Sequence, residues 1–229
     1  MKLSCLLPAT LLLASTAHAV EVSSTVTFTN DYRFHGISQT AGDPAVQASI
    51  DGAFDNGLYL GVWGSNVDFG DDANLEVDYY IGYGDSITED LSYAATFFYF
   101  QYPGYEAFDI DYTELDLQLF YKDFSITYAF SSDYINSSED GQYFAIDYSK
   151  PLTEQVNVDL HAGYSFGSYW DDIDPVGKYS DYSVGISGSV AGLDLSAAYL
   201  FNDIDDGNEV DSGAFRNDNT LLLSVSRTF

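Results

Sequence analysis

The chain has 229 residues, with 36 Asp plus Glu against 7 Lys plus Arg and a formal charge of -29. So large an acid excess excludes nucleic acid and anionic lipid as attractive partners. Its one Cys and one Met, Cys5 and Met1, both precede Ala19, so a chain cut there has no disulfide, thiol or thiolate-metal chemistry.

The opening MKLSCLLPATLLLASTAHA has one Lys, an apolar run from Leu6 to Leu13 and an Ala-His-Ala end, the pattern of a secretory signal peptide. The expected organisation is a signal peptide over residues 1–19 and a single β domain over 20–229. Cleavage removes Lys2 and takes the charge to about -30. Cys5 follows Lys2, Leu3 and Ser4, too early and in the wrong company for lipid attachment. No later segment approaches the roughly 18 consecutive apolar residues of a spanning helix. A membrane crossing would then need a closed barrel, because lipid tolerates no unpaired backbone. A mean hydropathy of -0.09 is compatible with this, since barrel strands are only half apolar. The 20 Tyr and 16 Phe fit interfacial aromatic girdles.

Along the chain, period-two alternation recurs. Val20 to Phe28 sets Val22, Val26 and Phe28 against Ser23, Thr25 and Thr27, and a long polar link, Asn30 to Pro44, follows. Ala45 to Phe54 alternates again and ends at Asp55-Asn56-Gly57, a hairpin signal. Leu58 to Ser65, an acidic link over Asn66 to Asn74, and Leu75 to Tyr83 come next, the last with Glu76 and Asp78 on its wet face. A turn over Gly84 to Asp90 leads to a run holding Leu91, Tyr93, Ala95, Phe97 and Tyr99, then a link from Gln101 to Asp111. Leu115 to Tyr121 and Phe124 to Phe130 form a hairpin about Lys122-Asp123. Ser131 to Gly141 links to the run of Phe144, Ile146 and Tyr148, and a turn at Pro151 to Val156 through Tyr164. After a link over Gly167 to Lys178, Tyr182 to Val190 turns tightly at Ala191-Gly192 into Leu193 to Phe201. Asn202 to Asn219 is the longest link before the closing run, Thr220 to Phe229.

About twelve strands with alternating long and short links predict an all-β fold: a single-domain antiparallel transmembrane barrel with long extracellular loops and short periplasmic turns. Phe229 ends a strand in which Leu221, Leu223 and Val225 share its parity, and the first run is its expected partner. An outer-membrane barrel ends in this way, which implies a Gram-negative outer membrane reached by export and recognition of this strand by the barrel-assembly machinery. Arg227 shares the greasy parity and is placed to snorkel at the periplasmic interface.

Residues 30–40, NDYRFHGISQT, with Pro44 to Gln47, GLYLGVWGSNVDF at 57–69, EVDYYIGY at 76–83 and Tyr102-Pro103-Gly104, resemble the TorF family of outer-membrane porins. The second half resembles it in strand pattern and terminal aromatic. The resemblance implies a porin-type barrel, with His35 where a second Arg after Phe34 is expected.

If the greasy parity faces lipid, Asp51, Glu76, Asp78, Glu114, Asp116, Asp147, Asp159 and Asp194 point into the lumen with no Lys or Arg among them. Buried carboxylates cost several kcal/mol or take up protons, which favours a watered, cation-preferring lumen. A narrow barrel with acids hydrogen-bonded to Tyr, Ser and Gln is the alternative. Arg33 and His35 are candidates for a constriction, Arg33 otherwise being a surface cation. His161, the lone strand histidine, invites comparison with barrel lipases, but no motif marks an orienting group or an oxyanion site.

The acidic stretches Asp68 to Asp72, Asp171 to Asp174 and Asp203 to Glu209 read as solvated loops, or as weak Ca²⁺ or Mg²⁺ sites bridging to lipopolysaccharide. The expected function is passive diffusion of small, preferably cationic solutes, without catalysis or cofactor. A non-conducting structural or adhesive barrel, a barrel lipase and a soluble acidic β-protein remain as alternatives.

Overall fold

The structure, a computed structural model, describes residues 20–173, 176–204 and 214–229. The expected signal peptide, Asp174 and most of the acidic stretch after Asp203 lie outside the described residues.

Twelve antiparallel strands close into a barrel. In chain order they are β1 (Val20–Thr29), β4 (Ala45–Phe54), β5 (Leu58–Asn66), β6 (Leu75–Ser86), β7 (Leu91–Gln101), β8 (Tyr112–Tyr121), β9 (Phe124–Ser131), β10 (Gly141–Pro151), β11 (Asn157–Phe166), β12 (Tyr179–Val190), β13 (Leu193–Asn202) and β14 (Thr220–Thr228). Two further short strands, β2 (Arg33–Phe34) and β3 (Ile37–Ser38), form a separate hairpin inside the first link. Each barrel strand pairs with its sequence neighbour, and β14 returns to β1 from Thr25↔Thr228 to Thr29↔Ser224. The seam continues past both ends of that ladder. Phe229 exchanges backbone bonds with Ser24, and the Asn30 side chain bonds the Leu221 carbonyl and the Leu223 amide.

The alternation divides the wall into two surfaces. On β6, Tyr79 and Ile81 are 45% and 49% exposed outward, while Glu76 and Asp78 are 2% and 1% exposed on the opposite parity. The outer surface is apolar around the whole ring, including Val22, Ile50, Leu117, Ile146, Ile186 and Leu223. A water-soluble protein does not present so continuous an apolar surface, whereas a membrane barrel must.

Aromatic rings gather at the two rims. Tyr83 with Tyr93, and Phe124 with Tyr148, lie by the short turns. Tyr79 with Tyr99, and Tyr182 with Phe201, lie toward the long links. At the end of β14 the Arg227 guanidinium lies 4.8 Å from the Phe229 ring centroid, so a cation on the lipid face rests on an aromatic at the rim. An arginine at the middle of the belt has no such refuge. Ile50→Arg is expected to lower barrel stability by about 2–4 kcal/mol, measured by denaturant unfolding in bilayers, whereas a change at the exposed turn residue Asn56 should have little effect.

The long links are tied down by their own carboxylates. Asp71 accepts from the Tyr105 hydroxyl at 2.9 Å and Asp72 from the Glu106 amide at 3.0 Å, joining two neighbouring links. Burial first, then Asp71, pushes the Tyr105 hydroxyl up to about 12. Asp140 holds the Ser168 hydroxyl and the Gln142 amide, and these bonds set its carboxyl below the usual range. Among the described residues, no three acidic, His or Cys side chains converge as a metal-ion cage.

Candidate functional site

The first link, a long polar connection by its composition, holds a hairpin of its own. Arg33-Phe34 and Ile37-Ser38 pair across a two-residue turn in which His35 and Gly36 both have positive φ, 48° and 82°. Two positive φ angles make the twisted turn that closes a tight hairpin, with glycine at its second position. The hairpin folds inward. Its tip reaches β12, where the Tyr179 hydroxyl donates to the His35 carbonyl at 2.9 Å. A Cβ added at Gly36 would lie 2.7 Å from Asp181 Cβ, so only glycine allows this approach. The His35 ring stacks on Tyr143 at 3.5 Å between centroids, and Phe34 meets Phe100 edge-on at 6.3 Å.

A buried ion pair fixes the hairpin. Arg33 is 2% exposed and Asp31 3%. Arg33 Nε lies 2.5 Å from Asp31 Oδ2, and Nη1 donates to the carbonyls of Arg216 at 2.7 Å and Gly36 at 3.1 Å. The other Asp31 oxygen takes the Ser38 hydroxyl at 2.6 Å. The Arg216 carbonyl also accepts the Ser38 amide, so the first link is tied to the last. Tyr32 donates to Glu76 Oε1 of β6 at 3.2 Å. Burial, followed by the charges of Glu76 and Asp78, holds the Tyr32 hydroxyl well above its ordinary value and keeps it a donor.

Of the eight lumen carboxylates expected from the alternation, Glu76, Asp78 and Glu114 are buried on the inner wall. Asp51 accepts from Ser49 at 2.7 Å and from the Tyr80 hydroxyl. Asp116 and Asp147 line a recess of about 70 Å³ beneath the hairpin, together with Glu114, Phe34, His35 and Tyr143. Asp159 and Asp194 share the inward parity but lie at the short-turn rim, hydrogen-bonded by Ser149 and Ser189 and apart from the recess. Arg33 and His35, the two candidates for a constriction, both lie in this inward hairpin, Arg33 at its base in the ion pair with Asp31 and His35 at its tip against Tyr143.

His161 joins a network that alternation had only half located. Its Nδ1 lies 2.7 Å from Asp147 Oδ1 and its Nε2 3.0 Å from Asp181 Oδ1. Tyr143 Oη is 3.0 Å from Nε2 and donates to Asp181 Oδ2 at 3.1 Å. These partners are two carboxylates and a phenol, where a lipase-type pair would set a serine against the ring. Asp181 and Tyr143 escape the alternation because the runs read from sequence begin at Tyr182 and Phe144, whereas the strands begin at Tyr179 and Gly141. Asp181 has the parity of Ser183, and Tyr143 that of Ala145 and Asp147.

Glycines open the space that the inner aromatics fill. Tyr59 pairs with Gly82 and Gly61 with Tyr80. A Cβ at Gly61 would come within 2.5 Å of Tyr80 Cζ, and one at Gly82 within 2.5 Å of Tyr59 Cε2. At Gly163 an added Cβ would meet the Tyr143 hydroxyl and lie 2.5 Å from Asp181 Oδ2. Gly163→Ala is therefore expected to push Tyr143 out of the network and cost about 1–3 kcal/mol by overpacking. The checks are denaturant unfolding and loss of quenching between Tyr143 and the stacked His35.

The fold matches solved outer-membrane channels at low sequence identity. A NanC porin aligns with a TM-score of 0.57 and 6% identity over 91% of this chain and 98% of its own. A KdgM porin aligns at 0.56 and 10% over the same shares, and its structure in complex with disordered oligogalacturonate at 0.55 and 9%, again over 91% and 98%. No curated protein matches the sequence. The family model described as a bacterial protein of unknown function (Gcw_chp) matches residues 13–229. With the whole barrel, from Val20 to Thr228, inside that match, the chain belongs to the Gcw_chp family.

Proposed function

We propose that this protein is a porin-type channel of the outer membrane that passes small cationic solutes by diffusion. The reading rests chiefly on one observation: carboxylates from β4, β6, β8 and β10 face the axis of a closed barrel whose outer surface is apolar. Inside a low-dielectric wall such a ring attracts cations and repels anions. The inward hairpin narrows the path and sets its selectivity. The likeness of residues 30–104 to TorF porins agrees with a porin role, and the aromatic end of β14 suits recognition by the assembly machinery. Lipopolysaccharide and divalent ions would meet the acidic links outside.

The rival is a non-conducting barrel that presents its links to partners, which the packing of Tyr32, Arg33 and Phe100 in the upper lumen favours. Planar bilayers separate the two. The folded barrel is expected to give discrete conductance steps in KCl, and a silent barrel would reject the channel.

A further inference from the structure

The recess under the hairpin has a chemistry that a general diffusion pore does not need. Its wall is built from adjacent rows of β8, β9 and β10. Asp116 stands opposite Ala129, Ala129 opposite Tyr143, and Thr127 opposite both Gln118 and Ala145. Inward positions on β6, β7 and the start of β8 hold rings, Tyr80, Phe98 and Tyr112, whereas the two alanines hollow this wall out. The hairpin supplies the roof with Phe34 and His35, whose rings stack at 3.9 Å. Glu114 and Asp116 supply negative charge on the wall, while Asp147 is held by His161, which also lines the recess. At about 10–15 Å³ per water on the same measure, 70 Å³ takes several waters or one small organic group.

We infer that this recess, lined by Phe34, Ala129, Ala145 and the carboxylates of Glu114 and Asp116, is a saturable binding site for a primary ammonium carrying a short apolar or aromatic body. The inference rests on the channel reading for its access route and makes the pore selective rather than general. Carboxylates at the wall suit an ammonium headgroup, and an aromatic face adds cation–π attraction for the same charge. Alanine methyls and the Phe34 ring give an apolar body a surface to cover, for which a bare metal ion has no use. Anions are repelled by the carboxylates of the wall. A neutral solute of the same shape would gain only the apolar contact.

The test uses phenethylammonium on the folded full-length barrel, with 2-phenylethanol and phenylacetate as controls of the same skeleton. Calorimetry is expected to show saturable binding of the ammonium alone, and the same compound should block KCl current saturably in bilayers. Glu114→Gln with Asp116→Asn should weaken binding by about tenfold or more, which is at least one step of 1.4 kcal/mol. Ala145→Leu fills the recess, keeps every charge, and should weaken binding by a similar factor. Equal binding of 2-phenylethanol, or unchanged binding in Ala145→Leu, would overturn the site. A barrel that conducts but does not bind loses the site and keeps the channel; one that binds but passes no current keeps the site and loses the channel.

Discussion

Replacing Arg33 by alanine should raise single-channel conductance while the barrel stays folded. The side chain is buried against Asp31 and donates to carbonyls of its own turn and of the last link, so it joins three pieces of backbone. Removing it leaves Asp31 buried without that cation, a loss that typically costs about 3–5 kcal/mol. The barrel ladders do not pass through Arg33, because β2 and β3 form a sheet of their own. The cost therefore falls on docking of the hairpin. Arg33→Lys is an informative companion: it keeps the charge but not the fork that serves Asp31 and the Arg216 carbonyl together. Its conductance should lie nearer the alanine variant than the native protein. A native conductance in Arg33→Ala would show that the hairpin does not limit the path.

The second large effect is on ion preference. Glu76→Gln with Asp78→Asn keeps shape and removes two charges from one strand of the inner wall. Asp78 lies opposite Trp63 on one side and Phe100 on the other, and Glu76 lies opposite Ser65 and accepts from the Tyr32 hydroxyl. The double variant should shift the cation-to-anion permeability ratio toward unity. The difference should be largest in dilute salt, because the screening length falls from about 10 Å at 0.1 M to about 3 Å at 1 M. A ratio unchanged at low salt would place selectivity elsewhere, with Asp51 and Asp116 the next carboxylates to replace.

The barrel is legible in the chain because lipid and lumen impose a period of two that a reader can follow residue by residue. Closure of Val20–Thr29 on Thr220–Thr228 and the order of long and short links follow from that pattern. The inward hairpin does not, since two-residue strands have no period. Its signal is local: Phe34-His35-Gly36-Ile37 carries a glycine where a tight turn needs positive φ. Composition alone made residues 30–44 look like an outer loop.

The carboxylates on the wet parity were readable one by one, but their grouping depends on register and stagger between strands. Hence Asp116 and Asp147 share a recess, while Asp159 and Asp194 stand at the rim. The aromatic content reads as girdles, yet Tyr80, Phe98, Phe100 and Tyr143 line the interior. Gly61 and Gly163 mark two of these sites, because a ring can lie flat only over a residue that has no Cβ.

The most direct measurement is the reversal potential of the native barrel in a planar bilayer under a KCl gradient of about tenfold. An acidic lumen narrowed by the hairpin predicts discrete steps and a potential displaced toward the potassium equilibrium value. A potential at zero or displaced toward chloride would contradict it.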